Sequence, residues 1–348
     1  MHQVAYSSNT SEQKVIKKIV KRLDHPIIMF EVGNGLHNQL MSFIDGMVVA
    51  ILYEKCYDVV LPTMYGSMGE SAENRSQPME LGDLYSATHF TECMTNYTRD
   101  LQIVETISNK DWLIKKISFT PMHDSRVINS ENNWNSTHSA LLKFAQPEMV
   151  VNIGRMYARW YSSLEDSRSY ESRHHIIECL KPAPSIEKVV SLAVKTIRIR
   201  HPAKVTAIHP RLETDWKIHC EKHPSLQDCW IDEREWIARM KKSSKTESPE
   251  AFLMLGGISF NKTLFDQSGI TVVTKYDLLP PGEFSSFGYS SSLAAIDFFL
   301  ALEVDNVYGF MWSSMDVMIY EARLYKCLPM ETIHPLGENW LTVVSGWT

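Results

Sequence analysis

No apolar run in this chain approaches the ~20 residues needed to cross a bilayer; the longest, such as 47–53 and 298–302, fall far short, so no membrane span is expected. There is no Asp-x-Asp anywhere, which removes the usual magnesium or manganese clamp for a nucleotide-sugar diphosphate. A Gly-x-Ser-x-Gly elbow, a Walker Gly-x-x-x-x-Gly-Lys-Ser/Thr loop and a Gly-x-Gly-x-x-Gly fingerprint at the first glycine loop are also missing, so hydrolase, kinase-like and dehydrogenase readings have nothing to rest on. Low-complexity tracts are absent, and hydrophobic (44%) and charged (22%) fractions are those of a globular protein, which excludes disordered and fibrous classes. The net charge of -6 is mild and the basic residues form no stripe interleaved with aromatics, so nucleic acid is not a partner. A phosphate, if bound, must be held locally.

Cysteine is scarce, but its six residues are an even number, and Asn-x-Ser/Thr sequons occur at Asn9, Asn74, Asn96, Asn135 and Asn261. Both features lean towards a secretory lumen. Residues 1–5 show neither a basic n-region nor an apolar h-region. The expectation is therefore the lumen of the endoplasmic reticulum or Golgi with an anchor or signal outside this chain, and the alternative is the cytoplasm. A length of 348 residues favours two domains with a cleft between them.

The first readable unit is an apolar run at 26–32, then Gly33-Asn-Gly35, then Leu36, Leu40, Phe43, Ile44, Met47, Val48, Ile51 and Leu52 at helical spacing, then a second apolar run at 57–62. This reads as strand, glycine loop, helix, strand. From 63 to 130 the pattern weakens into an elaborated insertion with only 112–119 strand-like. Helical periodicity returns at 139–144 and 154–164, the polar tract 165–173 reads as a linker, and the domain boundary falls between 165 and 184. Beyond it, helices at 185–197, 232–240, 290–302 and 315–324 alternate with strands at 205–209, 251–255, 270–274 and 306–308, as a doubly wound parallel sheet requires. The expected division is an N-terminal extension over 1–25, a first Rossmann-like domain over 26–175 and a second over 176–348. Ligands sit beyond the carboxyl ends of such strands, which singles out the loops at 33–38, 209–215, 256–257 and 309–314.

Three segments carry chemistry. Gly33-Asn-Gly-Leu-His-Asn-Gln39 exposes backbone N–H groups at a helix N-terminus, which suits an anion or serves simply as a turn. His209-Pro-Arg-Leu-Glu-Thr-Asp-Trp216 follows a buried strand, and Arg211 offers a permanently charged fork for a diphosphate, the alternative being a surface pair with Glu213 or Asp215. Ser313 and Ser314 either cap the helix that follows or donate to a phosphate, and Asp297 is either part of that site or a helix residue facing solvent. His209, His219, Cys220, His223 and Cys229 match no common zinc spacing, so a Cys220–Cys229 disulfide or plain thiols are the alternatives left. No metal site is expected.

Taken in order, these segments resemble the plant-type O-fucosyltransferase-like family. Asn34-Gly-Leu-His-Asn-Gln39 and Val60-Leu-Pro62 are similar to its first motif, and His209, Arg211, Glu213, Asp215 and Cys220 to its second. Lys275, Leu278 and Ser292-Leu-Ala-Ala-Ile-Asp297 are similar to its third, and Ser313-Ser314 to the phosphate contact of related protein O-fucosyltransferases. The resemblance implies an α/β GT-B fold, two Rossmann-like domains with the donor site in the cleft between them, the first on the acceptor side and the second binding the nucleotide sugar. It implies inverting, metal-independent transfer of fucose from GDP-fucose to a hydroxyl of a protein or glycan acceptor, with no cofactor. Arg211 would stabilise the leaving GDP; Gly35, His37, Asn38, His209 and Glu213 would line the donor site, Asp297 would approach the guanine, and Ser313 and Ser314 the phosphates. Glu31 stands where one related branch has its base. Two departures remove a cation: Met41 stands where the plant pattern has Arg, and Gly35 where related protein O-fucosyltransferases have one. Either His37 substitutes, or the donor is another nucleotide sugar such as UDP-rhamnose, or the chain is a catalytically silent glycan- or protein-binding relative.

Overall fold

The computed structural model describes residues 27–32, 35–52, 58–65, 78–98, 103–104, 113–116, 149–155, 167–224, 229–243, 250–256, 260–287, 290–309, 313–326, 328 and 333–335. The apolar run at the start forms β1 (Ile27–Glu31), helix α1 (Leu36–Leu52) crosses over, and β2 (Asp58–Val60) pairs parallel with β1. Leu36, Leu40, Phe43, Ile44, Met47, Val48 and Ile51 are all buried, so the apolar spacing does place α1 against a core.

Three further strands complete the first sheet: β5 (Ile103–Val104), β6 (Leu113–Lys116) and β7 (Met149–Arg155), in the parallel order β5-β2-β1-β7-β6. A short antiparallel ribbon, β3 (Met64–Tyr65) with β4 (Pro78–Met79), and helix α2 (Ala87–Tyr97) lie between β2 and β5 in sequence. The stretch 63–130 is thus more than an insertion, because it supplies two strands of the sheet; a two-residue strand leaves no alternation to read. Of the expected helix at 154–164, residues 154 and 155 instead end β7, and the rest lies outside the described residues, as does 139–144. The tract 165–173 is no linker, since helix α3 (Ser167–Cys179) begins within it. Its buried face is periodic but built from Ser172, Arg173, Ile176, Ile177 and Cys179, so two polar residues concealed the pattern. The division expected at 175/176 falls inside this helix.

Helix α4 (Pro184–Arg200), with proline at its tolerant first position, leads into the second sheet. Its strands β8 (Lys204–Ile208), β9 (Glu250–Met254), β10 (Thr271–Thr274), β11 (Asn306–Gly309) and β12 (Ile333–Pro335) are parallel, in the order β10-β9-β8-β11-β12. The intervening helices are α5 (Thr214–Lys222), α6 (Glu233–Ser243), α7 (Lys262–Gln267), α8 (Lys275–Leu278), α9 (Ser290–Glu303) and α10 (Ser314–Tyr325). The chain starts mid-sheet, winds out to β10, then returns to the other side of β8, the doubly wound pattern.

Helices α9 and α10 are buried nearly all round because they pack between the halves: α9 touches α4, α10 and α1, and α10 touches α1 and α3. One continuous core therefore runs from Leu40 and Phe43 of α1 to Phe298, Phe299 and Met318. Within it Arg173 donates to Asp45 of α1 at 2.6 Å and to Glu321 of α10 at 2.7 Å. Two disulfides are present among the described residues, Cys93–Cys179 joining α2 to α3 and Cys220–Cys229 closing the segment that follows α5.

Candidate active site

In the second sheet the strand order reverses between β8 and β11, and ligands of open α/β sheets bind beyond the carboxyl ends of strands at such a switch point. At the second residue of α1, the first half contributes to the same place: His37 lies within electrostatic reach of His209. The site is therefore assembled from the loop after β8, the start of α10 and the start of α1.

His209 immediately follows β8 and is only 4% exposed. Its Nδ1 lies 2.9 Å from Asp316 Oδ2 and 3.3 Å from Ser313 Oγ. Ser313 caps α10 by accepting from the Asp316 N–H, and Ser314 is the first residue of that helix. At Gly309, where α10 comes close to the sheet, a Cβ would stand 3.4 Å from Asp316 Cβ. The start of a twelve-residue helix, with its unsatisfied N–H groups and positive dipole end, thus faces the switch point.

Arg211 has φ 46°, the one non-glycine residue in the left-handed region among those described, a conformation that costs about 1–3 kcal/mol for a side-chain-bearing residue. Its guanidinium carbon lies 4.7 Å over the Trp216 ring, and its Nε is 3.5 Å from Glu213 Oε2. Trp216 is itself fixed by donating from Nε1 to the Cys229 carbonyl at 2.8 Å. The pairing with Glu213 is real, yet it is long, and neither Arg211 Nε nor Glu213 Oε2 is hydrogen-bonded. The Asp215 side chain lies outside the described residues.

Gly35 accepts the Gln39 N–H in the first turn of α1, and Asn38 is half-buried one step before it. His37 is 4% exposed and packs on Phe298, ring centroids 5.5 Å apart. Burial, and secondarily the charge of His209, lower its pKa to about 3. His37 is consequently neutral near pH 7 and does not replace the missing cation. A Cβ on Gly35 would meet nothing within 4 Å. Met41, the other departure, is buried in the core.

Asp297 is not a solvent-facing helix residue, being 1% exposed. Its Oδ2 accepts from Lys275 Nζ at 2.6 Å and from the Gly256 N–H at 2.9 Å. Burial pushes its carboxyl up, against the pull of Lys275. Glu31 ends β1, and its side chain lies outside the described residues.

The structure thus brings together His37, His209, Ser313 and, from the sequence reading of the strand ends, Arg211, while Asp297 sits with Lys275 at the end of β9. Asp316 and the pairing role of Lys275 were missed. Asp316 hid behind a Ser-x-x-Asp spacing that a helix cap explains completely. His37 Nε2, Arg211 Nε, Asp297 Oδ1 and Asp316 Oδ1 are buried and without a hydrogen-bond partner. Such atoms are costly unless a ligand or water satisfies them. Among the described residues the one cluster of metal-type ligands is Cys93, His175 and Cys179, away from this site and already tied up in a disulfide. No helix among them is long and apolar enough to cross a membrane.

The sequence pattern of the family described as GDP-fucose protein O-fucosyltransferase matches residues 27–326. A crystal structure of POFUT1 in complex with GDP is similar over 86% of this chain and 95% of its own, with a TM-score of 0.55 at 11% identity. POFUT1 in complex with GDP-fucose is similar over 86% and 94%, with the same TM-score of 0.55 and 11% identity. The fucosyltransferase NodZ from Bradyrhizobium aligns over 85% and 93% at 13% identity with a TM-score of 0.46. No curated protein matches the chain. At these identities the likeness to POFUT1 establishes the architecture, which is GT-B.

Proposed function

The chain belongs to the GDP-fucose protein O-fucosyltransferase family and is a glycosyltransferase, and from that premise we propose that it transfers fucose from GDP-fucose to a hydroxyl of a protein or glycan, with inversion and without a metal ion. The observation that carries this reading is the convergence of His209, Arg211 and the capped start of α10 on one switch point, with buried polar atoms left for a ligand. POFUT1 binds GDP and GDP-fucose in the structures cited above.

In this reading the diphosphate lies on the N-terminus of α10, contacted by Ser313 and Ser314. As the acceptor oxygen bonds to the anomeric carbon on the opposite face, the bond from that carbon to the β-phosphate oxygen breaks through an oxocarbenium-like state. Arg211 then stabilises the charge that develops on leaving GDP. A fixed guanidinium and a helix terminus do the work that a metal clamp does in Asp-x-Asp enzymes, consistent with the absence of that motif. His37 and Asn38 close the donor site from the first half, Gly35 leaves room beside it, Glu213 restrains Arg211, and Asp297 receives the guanine N–H groups. Glu31 is the base that takes the acceptor proton. Two disulfides favour an oxidising compartment, which supports a secretory lumen.

Isothermal titration with GDP and then UDP, with EDTA throughout, tests the donor. Micromolar GDP binding is expected; tighter UDP binding moves the donor to a UDP-sugar, and no binding to either removes the donor site. Arg211→Ala should lose ~10²–10³ in turnover with an unchanged circular dichroism spectrum. Near-normal activity in that variant would sink the leaving-group role.

A further inference from the structure

We propose that Asp316 makes His209 a proton-coupled contact for the donor diphosphate, so that nucleotide binds together with one proton taken up from solvent at His209 Nε2. The inference rests on the donor-site reading above.

Asp316 poses a problem for that reading. Its carboxylate is fully buried in the first turn of α10, where it complements the helix dipole, yet an anionic ligand placed at the same helix end meets an added negative charge. The geometry offers a solution. His209 Nδ1 is occupied by Asp316 Oδ2 at 2.9 Å and Ser313 Oγ at 3.3 Å, so Nε2 is the ring nitrogen left for a ligand. A neutral ring that donates from Nδ1 carries a lone pair on Nε2, and that lone pair repels a phosphate oxygen. The protonated ring donates from both nitrogens, to Asp316 on one side and to the ligand on the other. The added proton cancels the Asp316 charge and converts a repulsive contact into a charge-assisted bond. No bond in the ligand changes.

The other charged groups around His209 do not remove the need for that proton. His37, on α1, is neutral. Asp297, on α9, feels His209 and is itself paired with Lys275. Arg211, two residues along, leans on Glu213 and Trp216. Histidine is the side chain whose charge changes nearest neutrality, so diphosphate and carboxylate together favour a proton there.

The test is calorimetric titration of the full chain with GDP at pH 7.5–8.5, above the phosphate ionisation near ~6, in buffers of different ionisation enthalpy. The observed heat should vary with buffer so as to report close to one proton taken up, and Kd should weaken by up to ~tenfold per pH unit. In Asp316→Asn the proton uptake should fall towards zero while GDP still binds. Buffer-independent heats with intact GDP binding overturn the proposal and leave the donor site standing; uptake that persists in Asp316→Asn assigns the proton elsewhere and also overturns it. Absence of any GDP binding removes the donor-site reading and this inference with it. Should Asp316→Asn fail to fold, the wild-type pH dependence decides, because a Kd that is constant or tightens from pH 7.5 to 8.5 overturns the proposal.

Discussion

His37 shows how burial changes what a residue type can do. An imidazole in the glycine loop suggests a cation, but packed against Phe298 and beside His209 it is held neutral until about pH 3. The consequence for stability has a definite sign. Unfolded, the ring binds a proton below its ordinary value of 6.5, and folded it does not until about 3, so the unfolded state binds more protons in that window. Stability is complete above the upper limit and declines as pH falls, by at most ~1.4 kcal/mol per pH unit from this residue. Thermal melts at pH 7 and pH 4.5 should therefore show a smaller loss for His37→Gln than for the unaltered protein; equal losses would mean the ring titrates freely. Arg211 carries the complementary lesson, since a charged side chain singled out by a motif sits on a strained backbone, at φ 46°, that no motif announces. Its place over Trp216 was likewise invisible, because cation–π partners depend on how a loop folds back.

At the scale of elements, what could be read was whatever carried its own period. The β1–α1–β2 unit and the alternating elements from β8 to α10 were legible because long apolar runs and regular helices report themselves. Strand β6 was legible as the strand-like run 112–119, whereas β5 was lost because two residues are too few to show alternation, and α3 because Ser172 and Arg173 occupy its buried face. Fold class therefore emerged, while the full membership of the first sheet did not. The Cys220–Cys229 link belongs to this scale too, for it fixes the segment whose Cys229 carbonyl receives Trp216. A ring with a separation of 9 is worth about 2–3 kcal/mol by the chain-entropy relation. The double change Cys220→Ser with Cys229→Ser should lower unfolding stability by that order in urea titration, and should weaken turnover more than it weakens the fold. Unaltered turnover would show that Arg211 does not depend on its aromatic platform.

Across the whole molecule, Arg173 is the charge that both halves share. It satisfies Asp45 from the first half and Glu321 from the second, with 3% of its own side chain exposed. Removing the guanidinium alone leaves two buried carboxylates facing one another, a loss of ~3–5 kcal/mol for a broken buried pair. Arg173→Met should therefore shift the urea midpoint markedly, and pairing it with Asp45→Leu should recover part of the loss; additive damage in the double variant would argue against the shared network. Such a network is specific because it is expensive when incomplete. Among the described residues, His37 at the start of α1 and Ser313 at the start of α10, which the candidate site brings together around His209, belong to helices of this same packed interface.

The Cys93–Cys179 bond spans a separation of 86 residues and ties α2 to α3. Its consequence concerns breakage rather than folding: a single proteolytic cut anywhere between those cysteines opens the chain without parting it. The fragments stay one covalent particle, and only a reductant lets them separate.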